Sequence, residues 1–128
     1  MPRAAYGYRL KMDSDHAREL LARERARIEH ALADLRQEMA GEEEQDPFEP
    51  SDVGRDLFDK ELGEGLAERL REELEAVERA ERRLANGTYG LSVDSGKPIP
   101  DARLETIPWA ERTAEEQARY ERERRLGL

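Results

Sequence analysis

The chain has 128 residues, enough for one domain, and its 37% hydrophobic and 41% charged composition leaves little material for a globular core. A net charge of -9 argues against a phosphate-backbone binder that works through concentrated Lys and Arg, so direct DNA binding is not expected. With no cysteine, disulfides and thiolate metal sites are excluded, and no apolar run is long enough for a signal peptide or membrane span, which makes a cytoplasmic protein the expectation.

Residues 1–12 show no clear period and read as an N-terminal arm. Asp13, Ser14 and Asp15 then supply helix N-cap chemistry ahead of a run free of Pro and Gly until Gly41. Within it Leu21, Ile28, Leu32, Leu35 and Met39 follow heptad spacing, and Arg25 occupies the one missing position. After Gly41 the chain becomes acidic and carries Pro47 and Pro50, which interrupt a helix and let it reverse. From Glu42 to Glu64 ten acids face two bases, a net of -8, which leaves -1 for everything else.

A second periodic run starts between Val53 and Leu57 and is weakened early by Gly63 and Gly65. Leu66, Leu70, Leu74, Val77, Ala80 and Leu84 then form an apolar stripe until Asn86-Gly87 supplies C-cap chemistry. Two amphipathic helices of similar length joined by a turn pair antiparallel, each covering the other's stripe. The expected fold is therefore mainly α: an antiparallel coiled-coil hairpin over residues 13–87, with its acidic bend at about residues 42–56.

Residues 88–128 read as a small C-terminal lobe. Turn-rich sequence to Trp109 offers Leu91, Val93, Ile99, Leu104, Ile107 and Trp109 as a cluster against the base of the hairpin, with Tyr89 a further core piece. Thr113-x-x-Glu116 is a capping box and predicts a last helix from Ala114 to Arg125. Ser92-x-x-Ser95 followed after seventeen residues by Thr113-x-x-Glu116 has the spacing of a four-ligand zinc ribbon. Hydroxyls are poor zinc ligands and one carboxylate does not replace four thiolates, so the four positions read as turn hydroxyls and a helix cap, with no metal and no other cofactor.

His16 and His30 are too far apart on one helix to form a ligand pair and are assigned to the surface. No nucleophile triad or phosphate loop stands out from the charged background, and an enzyme would need a concave polar site that this composition scarcely provides.

Asn86-Gly87-Thr88-Tyr89-Gly90, Gly96-Lys97-Pro98-Ile99-Pro100, Arg103-Leu104-Glu105 and Pro108-Trp109-Ala110 together resemble the C-terminal zinc-finger region of the DksA/TraR family, with its cysteines lost. The pattern is similar to the cysteine-poor branch that includes the YteA-like proteins, and the motif resemblance extends from about Asp46 to Gln117. The resemblance implies a regulator that binds RNA polymerase and inserts the bend of its hairpin into the secondary channel. The family's tip pattern, acidic-x-x-Asp-x-Ala, matches Glu49, Asp52 and Gly54, with glycine where alanine is common.

Family members that respond to guanosine tetraphosphate in the stringent response use basic groups at the hairpin base and lobe. Arg69 and Arg103 match such positions for nucleotide or polymerase contact, whereas Glu72, Ala76, Ile107 and Gln117 stand where further bases would be expected. Coupling to that nucleotide is accordingly expected to be weak or absent. The rival reading is a structural or stress-associated interaction protein that keeps the fold without acting on polymerase.

Overall fold

The computed structural model describes residues 12–43 and 53–128. Four helices run through them: α1 (Ser14–Glu43), α2 (Val53–Asn86), α3 (Asp101–Thr106) and α4 (Ala114–Arg125). An isolated antiparallel bridge pairs Leu91 with Pro98. The protein is mainly helical, as its two periodicities require. Among the described residues no helix is long and apolar enough to cross a membrane.

α1 opens with the Ala17 amide donating to the Asp13 carbonyl at 2.9 Å, so the polar residues before it serve as its cap region. It does not stop at Gly41 but continues to Glu43. A Cβ at Gly41 would meet nothing within 4 Å. A glycine in such a place lowers helix propensity by about 1 kcal/mol without removing a hydrogen bond, which is too little to end a long helix.

α2 ends where its sequence says. Gly87 has φ +80°, and the Thr88 amide donates to the Arg83 carbonyl at 2.9 Å, closing a Schellman-type cap. α4 spans the expected residues, and its capping box is complete, with the Thr113 hydroxyl accepting from the Glu116 amide and the Glu116 carboxylate accepting from the Thr113 amide.

The chain divides into two compact units, and the division falls within α1 and α2. In the unit of residues 25–75, α1 and α2 pair antiparallel. Arg27 reaches Glu73 at 3.4 Å, while Gly63 lies against Leu35 and Met39, so residue numbers rise on one helix as they fall on the other. Ile28 and Ala67 are buried in this pair, and Leu32, Leu35, Met39, Leu70 and Leu74 are half-buried.

The stripe of α2 differs from the expected one at its start. Leu66 is 40% exposed, and the seam there is made by Gly63 and Ala67. The reason is steric. A Cβ on Gly63 would stand 3.4 Å from the Met39 sulfur and 3.6 Å from a Leu35 methyl, so the small residues of α2 make room for the large ones of α1. Gly63 is thus a packing residue, and Leu66 falls to the side.

The described part of the other unit comprises residues 12–24 and 76–128. Its core joins Met12, Ala17 and Leu21 of the first segment to Ala76, Val77 and Ala80 of α2 and to Tyr89, Ile99, Leu104 and Ala110 of the lobe. Ile99 and Leu104 are almost fully buried, whereas Leu91, Ile107 and Trp109 are half-buried. Val93, expected in this cluster, is 46% exposed because it sits in the turn after Ser92.

Candidate functional site

Two loops bring the zinc-ribbon positions together. The Leu91 to Ile99 loop is closed by Ser92 N donating to the Lys97 carbonyl at 2.8 Å and Ile99 N to the Gly90 carbonyl at 2.8 Å. Gly96, at φ +74°, completes its turn with an amide hydrogen bond to the Ser92 carbonyl. Val93 N then donates to the Glu111 carbonyl at 2.9 Å and ties this loop to the one preceding α4.

Inside the first loop the Ser92 Oγ accepts from the amides of Asp94 (3.1 Å) and Ser95 (3.2 Å). From the other side comes Glu116, only 7% exposed. Hydrogen bonds from the Ser92 and Ser95 hydroxyls and from the Thr113 amide hold its carboxyl down at about 2. Thr113 N lies 2.9 Å from Glu116 Oε1, and Glu116 N lies 3.2 Å from Thr113 Oγ. Ser92, Ser95, Thr113 and Glu116 therefore converge, and the centre they surround is a carboxylate. The capping box was legible in the sequence; that its glutamate also fastens the opposite loop was not.

A second polar cluster lies beside it. Glu111 takes Arg79 in a two-pronged pair at 2.9 and 3.0 Å and also accepts from Arg83 Nη1 at 3.3 Å. Burial pushes the Glu111 carboxyl up, but the Arg79 hydrogen bond and the charges of Arg79, Arg83 and Arg112 outweigh it and leave it below the ordinary value. Burial pulls the Arg83 guanidinium down, and its Nε and Nη2 are enclosed without a hydrogen-bond partner.

Tyr89 donates its hydroxyl to the Pro108 carbonyl at 2.8 Å, and burial raises it to about 12. Arg112 donates to Asp94 at 2.8 Å and stacks 3.8 Å from the Tyr120 ring centroid. Sequence reading missed Glu111 altogether. The available hint was Arg79 and Arg83, spaced to share one face of α2.

Glu49 and Asp52, the tip acids, lie outside the described residues, and Gly54 falls in the first turn of α2. Arg69 is exposed in the 25–75 unit, whereas Arg103 belongs to the other unit and donates its Nε to the Arg112 carbonyl at 3.0 Å. At the positions without a base, Glu72 is exposed, Ala76 is buried, and Gln117 turns to Glu121 at 3.2 Å. His16 joins Glu105 of α3 at 2.8 Å, and His30 sits on the surface near Asp34. Among the described residues no group of three or more His, Cys, Asp or Glu is placed to hold a metal ion.

Residues 87–122 match the prokaryotic dksA/traR C4-type zinc finger family. Over 106 residues the chain is 33% identical to general stress protein 16O of Bacillus subtilis, covering 72% of this chain and 65% of that protein. Over 59 residues it is 39% identical to the RNA polymerase-binding transcription factor DksA of Caulobacter vibrioides, covering 46% and 42%. Its fold matches transcription factor DksA2 from Pseudomonas aeruginosa with a TM-score of 0.75 at 28% identity, over 88% of this chain and 85% of that one. Residues 87–122 thus belong to the DksA/TraR zinc-finger family. The chain spans just under two thirds of the Bacillus relative and less than half of the Caulobacter one.

The zinc implied by the DksA/TraR finger does not fit this lobe. Three of the four positions offer hydroxyls, and these are already committed: Ser92 Oγ to two amides, Thr113 Oγ to the helix cap, and the serine protons to Glu116. A DksA/TraR lobe built this way should melt at the same temperature with and without chelator, and a large drop would reveal a metal that holds it.

Glu116→Gln should lower that melting temperature at neutral pH. Because folding depresses the Glu116 pKa from 4.5 to about 2, its contribution is present above 4.5 and disappears as pH falls toward 2. The gap between wild type and variant, followed at the single tryptophan Trp109, should close over that range. A gap independent of pH would contradict the role given to the carboxylate.

Proposed function

We propose that this chain is a bacterial transcription regulator that binds RNA polymerase directly, without zinc, DNA contact or catalysis of its own, in the cytoplasm where polymerase works. The observation that carries the reading is the likeness to transcription factor DksA2 over 88% of the chain. A relative named for polymerase binding, the Caulobacter DksA, supports the choice of partner.

In this reading the acidic segment that joins α1 to α2 enters the secondary channel, and Asp52 is its working residue. A carboxylate carried into a narrow channel of basic groups perturbs the surroundings of the catalytic metal ion without reacting itself. Glu49 adds charge, and Gly54 replaces the alanine of the family pattern. Arg69 is available for polymerase contact, while Arg103 already holds the Arg112 carbonyl. A nucleotide with several phosphates needs clustered cations, and Glu72, Ala76, Ile107 and Gln117 supply none, so guanosine tetraphosphate adds little.

Purified polymerase binding and in vitro transcription, run with wild type, Asp52→Ala and Asp52→Asn side by side, test the reading. Wild type is expected to change transcript yield, and both variants to bind while losing that effect. If wild type neither binds polymerase nor differs from buffer, the proposal fails.

The similarity to general stress protein 16O over 72% of the chain favours a second reading, a stress-associated interaction protein that keeps the fold without polymerase action. Competition with a known secondary-channel factor separates the two, because a protein of the second kind leaves that factor in place.

A further inference from the structure

Asn86 is the only asparagine of the chain, and a glycine follows it. The pairing matters chemically as well as conformationally. The side-chain carbonyl carbon of an asparagine lies within reach of the next backbone nitrogen, and asparagine is among the thermolabile residues for that reason. Closure of a cyclic imide through that nitrogen is opposed mainly by the side chain of the following residue, and glycine has none.

The fold leaves this pair open. Asn86 is exposed and is the last residue of α2, and its side chain has no hydrogen-bond partner among the described residues. A Cβ built on Gly87 would meet nothing within 4 Å, so the glycine swings without displacing a neighbour. Its amide reaches the Leu84 carbonyl at 3.3 Å, longer than a well-formed amide hydrogen bond. The Thr88 amide and hydroxyl, 2.9 and 3.5 Å from the Arg83 carbonyl, complete the cap. Because α2 does not continue past Asn86, it is these end contacts, and not a helical ladder, that resist rotation where Asn86 joins Gly87.

We propose that Asn86 is a self-modification site, which converts without an enzyme to isoaspartate and aspartate and thereby opens the cap of α2. The Gly87 nitrogen bonds to Asn86 Cγ, the Cγ–Nδ2 bond breaks, and the displaced nitrogen leaves as ammonia, taking the proton of the Gly87 amide. Water then opens the imide. Addition at Cγ gives aspartate, and addition at the main-chain carbonyl gives isoaspartate, in which the backbone runs through Cβ and Cγ. The extra backbone carbon carries the Thr88 amide off the Arg83 carbonyl. The cap lies between Arg83, which holds Glu111, and Tyr89, which donates to Pro108, so its opening loosens the connection of α2 to the lobe. This modification goes beyond the polymerase reading and does not depend on it.

Mass spectrometry of the folded full chain, aged at mildly alkaline pH and then cut with trypsin, tests the proposal. The tryptic peptide that begins at Leu84, aged in parallel, serves as the reference for the unrestrained reaction. Aged wild type should gain one mass unit in that peptide, with isoaspartate the larger product. Asn86→Gln, whose side chain is one carbon too long to close the same ring readily, should stay unchanged. The modified wild-type chain, separated by its added charge, should exchange the Thr88 amide hydrogen at least about tenfold faster than fresh protein. A folded chain that stays unmodified overturns the proposal, most directly where the reference peptide converts, since the fold then guards Asn86. A modified chain whose Thr88 amide exchanges as slowly as in fresh protein overturns it too, since the cap then survives. No polymerase enters the measurement, so its failure leaves the proposed regulatory role standing.

Discussion

Leu104→Ala should remove about 2–5 kcal/mol from the stability of the unit that contains the lobe. Leu104 is fully buried on α3, a helix of six residues that is too short to persist without the packing it supplies. Around it the core is small: Tyr89, Ile99, Pro108 and Ala110 are the other buried apolar residues of the lobe. Zinc, which would tether such loops in a C4 finger, does not fit the hydroxyl set of this one, so the deleted methyl groups leave a cavity that no metal–ligand bonds compensate. Urea denaturation followed at Trp109 fluorescence measures the loss. A change under about 1 kcal/mol would mean that polar contacts, rather than Leu104, hold the lobe together.

Glu111→Ala should cost about 2–3 kcal/mol, through a different mechanism. The substitution takes the carboxylate from Arg79 and Arg83 together, and Arg83 already has two enclosed nitrogens without partners. Only the Arg83 side of the cluster is deeply shielded; Arg79 is 44% exposed and can recover water, which keeps the expected loss at the lower end for a buried pair. Glu111→Ala combined with Arg83→Met should therefore be more stable than Glu111→Ala alone, since it removes the stranded cation.

The pH dependence carries its own sign. Folding leaves the Glu111 pKa below its ordinary 4.5, so its stabilisation is present above that value and fades as acid protonates it in the folded state. Wild type should lose stability on acidification where Glu111→Ala loses less. Urea titrations at neutral and acidic pH decide the matter, and equal acid sensitivity in both proteins would remove Glu111 from the account.

What the sequence by itself determined was everything governed by neighbours along the chain. Heptad spacing from Leu21 to Met39 and the apolar stripe from Leu66 to Leu84 predict two helices, Asn86-Gly87 ends the second with a positive φ, and Thr113-x-x-Glu116 begins the last. These are readable because the interacting groups lie within a turn of one another. The same locality misled at Gly41, where a weak propensity was outvoted by the helix around it.

Only the tertiary structure decided which of several equivalent groups meet across long intervals of sequence. Leu66 and Ala67 are adjacent, yet Ala67 takes the seam because Leu35 and Met39 already fill the space opposite Gly63. Glu111 is one of 31 acids, and nothing beside it in sequence marks it as the partner of Arg79, 32 residues away. His16 and Glu105, 89 residues apart, meet for the same kind of reason. Charge and hydrophobicity say what a side chain can bind, but burial and register choose among the candidates, and both come into being only when the helices and loops have packed.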